Sequence, residues 1–253
     1  MSQNEHWPTA VDIFNVAGAS PVLLLCPHAS NYIPHPYRNL GLPESELQRH
    51  IAWDIGAAGV TRRLAQVLDA PAFLGTYSRL MIDLNRALHA ESSIVTRSEI
   101  TDIPGNAALT PSERARRTSR IFTPFHRSIE AHLAERELAK RRVVLVAIHS
   151  FTPIFHGTPR AWHAGVLFER SARLAHATIE RLRAADGELH VGANVPYSVT
   201  PDDDYCLWVY ADKIGNPGVE IEIRQDLLAR PEHQEAWANR LAQTLAIDVA
   251  FDA

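Results

Sequence analysis

Short apolar runs alternate with longer amphipathic stretches along this chain of 253 residues. Two runs are apolar throughout, which is typical of strands buried on both faces, and the amphipathic stretches have helical spacing. The predicted strands are Pro21–Cys26, Ala72–Tyr77, Leu80–Leu84, Val143–Ile148, His163–Phe168 and Gly218–Ile223. The predicted helices are Asp54–Leu68, Arg170–Ala185 and Pro231–Leu245.

One more helix is marked by the segment TPSE at Thr110–Glu113. A hydroxyl at the N-cap, proline at N1 and glutamate at N3 form a capping box. The helix that it begins is predicted to run to about Lys140, with a kink or break at Pro124. The mostly polar stretch Ala87–Leu109 before it is predicted to be a long loop.

Strands that alternate with helices predict the fold class. This order is typical of a mainly parallel sheet covered by helices on both sides. The chain has no linker, repeat or low-complexity segment that would divide it. We therefore predict one domain over residues 1–253, an α/β/α sandwich of three layers with a mostly parallel or mixed sheet.

Composition narrows the class of partner. Hydrophobic residues make up 46% and charged residues 21%, which is ordinary for a globular protein, and the net charge is −4 without a basic block. Nucleic acid is therefore not expected as a partner.

The apolar runs are too short for a membrane span, and the polar segment Met1–Asp12 lacks the apolar core of a signal peptide. Two cysteines without a CxxC pair predict no disulfide framework, and we expect a cytoplasmic protein.

Reactive side chains lie at the ends of the predicted strands, where open α/β sheets bind their ligands. His28 follows the first strand, His149 follows Val143–Ile148, and Glu222 lies in the last strand. A single histidine at a strand end is as often bonded to backbone as to a metal. Two such histidines beside a glutamate favour a metal site, because catalytic zinc usually has three protein ligands and a water.

The last strand carries charges on one face. Its period of two places Glu220, Glu222 and Arg224 together, with Ile221 and Ile223 on the other face. Buried charges need a partner or a metal. For Glu220 the alternative is an ion pair with an arginine at the sheet edge.

Arg79, Asn85 and Arg86 form a third group. The planar guanidinium of arginine matches a carboxylate through two hydrogen bonds, and asparagine can donate to the same group. These residues therefore predict a site for a substrate carboxylate. The alternative is that Arg86 pairs with Asp83 to close the loop.

Five motifs in order resemble the N-formylglutamate amidohydrolase family over about Val22 to Leu228. They are CPHASNYIP (Cys26–Pro34), WDIG (Trp53–Gly56), YSRLMIDLNR (Tyr77–Arg86), AIHSFTP (Ala147–Pro153) and GVEIEIRQDLL (Gly218–Leu228). The segments Ile148–Phe151, Asp83–Arg86 and Glu222–Gln225 are also similar to the metal-histidine, substrate-carboxylate and catalytic-glutamate segments of zinc carboxypeptidases; aspartoacylases share the second.

The resemblance implies a fold like that of the zinc carboxypeptidases, one zinc ion and hydrolysis of a small N-acyl amino acid. In this family the substrate is N-formyl-L-glutamate, which is cut to formate and glutamate in histidine breakdown. The implied roles are zinc ligands for His28 and His149, proton transfer for Glu222, oxyanion stabilisation for Arg79, and a carboxylate clamp for Asn85 and Arg86.

The third metal ligand stays open at this point. Carboxypeptidases and aspartoacylases use H-x-x-E, whereas this chain has Asn31 where the glutamate would be. The ligand is either Asp54 or Asn31. Arg224 is a candidate partner for a side-chain carboxylate of the substrate or for Glu222. The acyl group and the amino acid stay open as well.

Two other functions compete with this prediction. Cys26 lies two residues before His28 and could be the nucleophile of a cysteine hydrolase, although free cysteine is among the residue types most often buried. The same fold could instead bind an acidic metabolite or a metal without turnover. Residues whose roles stay open are His156, His163, Asn194 and Tyr197, with surface, structural or turn roles as the alternatives.

Overall fold

The computed structural model of the protein describes residues 7–251, and its side chains through residue 245. Residues 1–6 of the polar N-terminal segment, and residues 252 and 253 of the predicted domain, lie outside the described residues. The strands are β1 Val11–Phe14, β2 Val22–Cys26, β3 Ala72–Gly75, β4 Arg97–Ser98, β5 Thr101–Asp102, β6 Val144–Phe151, β7 Ile154–Phe155, β8 Thr158–Pro159, β9 Ala164–Leu167, β10 Val191–Ala193 and β11 Gly218–Arg224. The α-helices are α1 Glu44–Leu47, α2 Ala57–Leu68, α3 Pro111–Arg117, α4 Thr123–Leu138, α5 Ala172–Ala185, α6 Tyr205–Leu207 and α7 Pro231–Phe251.

Seven strands form one mixed sheet in the order β1-β3-β2-β6-β11-β9-β10. The β1–β3 and β9–β11 pairs are antiparallel, and the other neighbours are parallel. The short pairs β4–β5 and β7–β8 form separate hairpins. The predicted fold class is therefore confirmed, while the short edge strands β1 and β10, of four and three residues, were not predicted.

Two hydrophobic cores lie on opposite faces of the sheet and make the three layers. Leu24, Val146 and Ile221 face a core with α2, α5 and α7. Leu25 and Ala147 face a core with α4 and the segment around α6. Successive residues of a strand point to opposite faces, so an entirely apolar strand supplies both cores at once.

The predicted strand Leu80–Leu84 is wrong, because this segment consists of turns. Its apolar side chains are buried, as the pattern suggests. Its carbonyl groups, however, are satisfied by side chains rather than by a neighbouring strand: Asn106 donates to Leu80 and Arg117 donates to Met81. The loop predicted for Ala87–Leu109 contains the β4–β5 hairpin and two short 3₁₀ turns.

The helix predicted from the capping box is interrupted as expected. Thr110 accepts a hydrogen bond from the Glu113 N–H at 3.2 Å, which begins α3. A π-helical turn at Thr118–Phe122 separates α3 from α4, and Pro124 lies in the first turn of α4. Proline has no N–H to continue the ladder of the preceding turn, which explains the position of the break.

The polar residues at the ends of β6 and β11 belong to the strands themselves. β6 continues past the predicted Ile148 to Phe151, and His149 lies opposite Glu222 in the parallel β6–β11 pair. This pairing fixes the histidine and the glutamate side by side. Among the described helices, none is both long and apolar enough to cross a bilayer.

Candidate active site

A cavity of about 630 Å³ opens at the carboxyl ends of β2, β6 and β11. Most of its lining comes from the segments that follow β3 and β10, and the remainder includes the segment that follows β2 and residues of β6 and β11 themselves. The lining includes His28, Asp54, Arg79, Asp83, Asn85, Arg86, His149, Tyr197, Asp204, Glu220 and Glu222.

His28, Asp54 and His149 meet at the bottom of this cavity. The Nδ1 atom of His149 lies 2.7 Å from Asp54 Oδ2, and Nδ1 of His28 lies 3.4 Å from the same oxygen. All three side chains are buried, and their ligand atoms lie within 4.8 Å of one another. Two ring nitrogens and a carboxylate oxygen that converge in this way can hold a divalent cation.

Backbone contacts place Asp54 between the two rings. Its N–H donates to the His28 carbonyl at 2.9 Å, and the Ser150 N–H donates to its Oδ2 at 3.3 Å. Burial alone would raise the pKa of the Asp54 carboxyl, but the hydrogen bonds and charges of His28 and His149 lower it well below its usual range. The carboxylate is therefore charged and available as a ligand.

Asp83 supports the other side of His28. Its Oδ1 lies 2.7 Å from Nε2 of His28, and its Oδ2 accepts from Arg79 Nη2 at 2.7 Å. Arg79 also lies 3.6 Å from Asp54 through Nη1. A carboxylate on the second ring nitrogen fixes the orientation and tautomer of a metal-binding histidine.

The second nitrogen of His149 faces Glu220. Nε2 of His149 lies 3.6 Å from Glu220 Oε2, which also accepts from Asn85 Nδ2 at 3.3 Å. The alternative considered for Glu220, an ion pair with an arginine at the sheet edge, does not form among the described residues. Burial raises the pKa of Glu220 to about 8, and nearby Asp204 and Glu222 act in the same direction.

Glu222 lies beside His149 on the same face of the sheet as Glu220. It is buried, and its Oε2 has no hydrogen-bond partner among the described residues. Burial, followed by the charges of Asp54 and Asp204, raises its pKa well above the usual range, while Arg79 and Arg160 oppose that rise. An unpartnered carboxyl that points into a cavity can accept a proton from a bound molecule.

Arg86 is held at the cavity wall by a neighbouring loop. Its Nε lies 3.1 Å from Asp203 Oδ1, and its Nη1 donates to the carbonyls of Asn85 and Asp203. The alternative pairing of Arg86 with Asp83 does not form, because Arg79 occupies that carboxylate.

Two residues with predicted site roles point elsewhere. The Asn31 amide donates to the Leu47 carbonyl at 2.9 Å and does not line the cavity, so Asp54 and not Asn31 is grouped with the histidines. The Arg224 guanidinium pairs with Asp226 and donates to the Arg160 carbonyl at 3.1 Å. It therefore supports the backbone outside the cavity rather than facing a ligand.

Of the four residues whose roles stayed open, one lines the cavity and three make contacts outside it. Tyr197 lines the cavity, and its hydroxyl accepts from Arg160 Nη1 at 2.9 Å. Asn194 has a positive φ of 50° and accepts from the Phe168 N–H, which is a turn role. His163 accepts from the His190 N–H, and the His156 backbone N–H donates to Glu99. These two histidines do not line the cavity.

Cys26 does not fit a nucleophile. It is fully buried in the core, and burial raises the pKa of its thiol well above the usual range. A thiolate is the reactive form, so this environment opposes the cysteine hydrolase.

Sequence reasoning missed three carboxylates of the site. The sequence pattern indicated no site role for Asp83 or Asp204, and for Glu220 it left an ion pair at the sheet edge as the alternative. Asp204 is in fact buried in the cavity wall, where its Oδ2 accepts from the Thr200 N–H at 2.8 Å. The available signal for Glu220 was the period of two in β11, which places it on the same face as Glu222.

Comparison with solved structures shows close overall likeness. A gene product of Agrobacterium tumefaciens is 40% identical, with a TM-score of 0.92 over 96% of this chain and 96% of that chain. An N-formylglutamate amidohydrolase from Ralstonia eutropha JMP134 is 18% identical, with a TM-score of 0.70 over 95% and 97% of the two chains. A metallo-carboxypeptidase from Burkholderia cenocepacia is more distant, at 11% identity and a TM-score of 0.41 over 92% of this chain and 57% of that chain.

Comparison by sequence gives the family. No curated protein matches the chain. The family model described as N-formylglutamate amidohydrolase matches residues 20–229, which include the whole cavity floor. The chain therefore belongs to the N-formylglutamate amidohydrolase family.

Proposed function

We propose that this protein hydrolyses the amide bond of a small N-acyl amino acid with the help of one zinc ion. The observation that carries the proposal is the convergence of two imidazole Nδ1 atoms on one oxygen of Asp54, beside the free carboxyl of Glu222. Family membership supports the amide as the bond that is cut. N-formyl-L-glutamate, cut to formate and L-glutamate in histidine breakdown, is the substrate that the family description favours.

The residues present fit a zinc ion. Two histidines and one carboxylate are a donor set of catalytic zinc sites, which keep a further position for water or substrate. His28, Asp54 and His149 would hold the ion, and Asp83 fixes the His28 ring from behind. When bound, zinc supplies a Lewis acid that polarises the acyl oxygen and lowers the pKa of a bound water.

Glu222 performs the proton transfers. Its carboxylate takes a proton from the water that attacks the acyl carbon, and the same group then protonates the leaving nitrogen. The position next to His149 in the strand pair holds it beside the metal ligands. The absence of a competing hydrogen bond at Oε2, among the described residues, leaves that oxygen available for the water.

Two arginines bind negative charge, one on the acyl oxygen and one on the substrate carboxylate. Arg79 lines the cavity next to Asp54 and stabilises the negative charge that develops on the acyl oxygen. Arg86 is ordered by Asp203 and offers its remaining N–H groups to the substrate carboxylate.

The test combines metal content with a substrate panel. The purified chain is analysed for zinc and assayed with N-formyl, N-acetyl and longer N-acyl amino acids, with the chelated protein as a control. The proposal expects about one zinc per chain, turnover that is lost on chelation, and recovery when zinc is returned. Zinc binding without turnover of any panel member would favour a binding protein of the same fold.

Glu222→Gln separates the proton-transfer role from metal binding. The amide has nearly the same shape but cannot accept the proton, so kcat should fall by about 10²–10⁴-fold while zinc content stays the same. Glu188→Gln, on the exposed surface, is the matched control. Unchanged turnover in Glu222→Gln would remove Glu222 from the mechanism.

A further inference from the structure

We propose that Asn85 and Glu220 are positioning residues that hold the imidazole of His149, and that the Asn85 side chain does not bind the substrate carboxylate. This inference rests on the proposed zinc site. It departs from the role that the DLNR segment implies for Asn85, and it assigns to Glu220 a function that the sequence did not indicate.

The His149 ring requires a partner on its second nitrogen. Its Nδ1 faces Asp54 at 2.7 Å, on the side of the candidate metal ligands. Its Nε2 is buried and has no hydrogen-bond partner among the described residues. When Nδ1 of a neutral imidazole donates its lone pair to a metal, Nε2 carries the proton and acts as a donor. The carboxylate oxygen in front of that nitrogen is Glu220 Oε2, at 3.6 Å.

The position of Glu220 in the fold suits this contact with His149. It is only 2% exposed and lies in the middle of β11, two residues before Glu222. The oxygen that faces His149 also accepts from the Asn85 amide at 3.3 Å. In this buried position Glu220 Oε2 needs donors, and the groups that face it are one amide and one imidazole rather than an arginine.

The Asn85 side chain is already engaged at both of its ends. Its Nδ2 donates to Glu220, and its Oδ1 accepts from the Cys206 N–H at 2.9 Å. The residue is 1% exposed. One N–H of Nδ2 is used by Glu220, and the near-complete burial of the residue leaves little surface at which the other N–H could meet a substrate carboxylate. The geometry therefore favours support of Glu220 over contact with substrate.

One short segment thereby supports both histidine rings, one directly and one through Glu220. Asp83 contacts Nε2 of His28 at 2.7 Å, and Asn85, two residues later, holds the carboxylate that faces Nε2 of His149. The Asn85 N–H also donates to Asp83 Oδ1 at 2.8 Å, which links the two supports. The supports of the two rings therefore come from one segment and are hydrogen-bonded to each other.

The test measures zinc affinity by competition with a chromophoric chelator in Asn85→Ala, Glu220→Ala and Glu220→Gln. Loss of such a supporting carboxylate lowers metal affinity by about 10–100-fold, which is the result expected for Glu220→Ala. Glu220→Gln should recover part of it, because its amide oxygen still accepts from Nε2. The double variant Asn85→Ala/Glu220→Ala should bind zinc no more weakly than Glu220→Ala, because Asn85 acts through Glu220.

Kinetic constants distinguish support from substrate binding. A positioning role lowers kcat in Asn85→Ala and leaves KM nearly equal for acids and for their neutral amides. Arg86→Ala is the matched control from the next position, and it should raise KM for acids while zinc affinity stays the same. Thermal melting of the metal-free proteins identifies variants that do not fold. Asn85→Ser and Glu220→Gln replace any such variant.

The outcomes separate this inference from the proposed function. If wild type binds zinc but Asn85→Ala matches wild type in affinity and raises KM for acids alone, Asn85 is a substrate clamp and the inference is overturned. Unchanged zinc affinity in both Glu220 variants overturns it as well. If the wild-type chain binds no zinc, the proposed metal site fails and this inference fails with it.

Discussion

Protonation of one buried histidine should destabilise the protein in acid. His126 lies in α4 beneath the Asp83–Asn85 segment, where its Nε2 contacts the Leu84 carbonyl at 3.1 Å and its Nδ1 contacts the Tyr210 hydroxyl at 2.7 Å. Nε2 must donate to the carbonyl, so Nδ1 accepts from the hydroxyl and the ring is neutral. Burial lowers the pKa of His126 from 6.5 to about 3, against the opposing hydrogen bond to Leu84.

The size of this loss of stability follows from the linkage between proton binding and folding. The unfolded chain binds this proton more tightly than the folded one, so the contribution of neutral His126 is full above about pH 6.5 and is lost as pH falls towards about 3. Each unit of pH within this window changes the free energy of unfolding by about 1.4 kcal/mol. Between about pH 7.5 and about pH 4.5, the loss from this residue is therefore about 3 kcal/mol.

Urea denaturation across this pH range, followed by tryptophan fluorescence, measures the effect. His126→Gln cannot titrate there, so the stability difference between wild type and this variant should shrink by about 3 kcal/mol as pH falls to about 4.5. His89→Gln is the control, because that histidine is exposed at the surface. A stability difference between wild type and His126→Gln that does not change with pH would refute the reasoning.

Three further predictions concern two residues of the cavity and one glycine of β3. Asp83→Asn should lower zinc affinity by about 10–100-fold, measured by chelator competition, because the amide supports the His28 ring less well than a carboxylate; equal affinity would contradict this. Arg86→Ala should raise KM for acids more than for their neutral amides in steady-state assays, and an equal rise would exclude the clamp. Gly75→Ala should lower the free energy of unfolding by about 1–3 kcal/mol, because a Cβ there would lie 2.1 Å from the Pro27 carbonyl oxygen. Gly187→Ala, which meets no atom within 4 Å, should change stability little in the same urea titration.

One segment of the chain supplies several different groups to the cavity. The segment from Arg79 to Arg86 contributes an arginine beside Asp54, a carboxylate behind His28, an amide behind Glu220 and a second arginine at the wall. It consists of turns rather than a strand. Turns allow successive side chains to point in several directions, whereas a strand would have divided them between two faces of the sheet.

The wrong prediction of a strand at Leu80–Leu84 shows that a local apolar pattern does not by itself determine secondary structure. An apolar run of this length is consistent with a buried strand, with a helix segment or with a buried loop. The distinction depends on which groups satisfy the backbone, and here those groups are Asn106 and Arg117, which are far along the chain. No local property of the segment specifies such partners.

The sequence by itself determined the alternation of buried strands and amphipathic helices, and with it the mixed α/β sandwich and the placement of His28, His149 and Glu222 towards the carboxyl ends of their strands. Those features depend on periodicity and on the rule that parallel strands end at one edge of the sheet. Only the tertiary structure decided that Asp54 rather than Asn31 joins the histidines, that Arg224 points away from the cavity, and that Glu220 faces His149. These are distances between atoms on separate elements, and they depend on strand register and on loop paths that hydrophobic pattern does not encode.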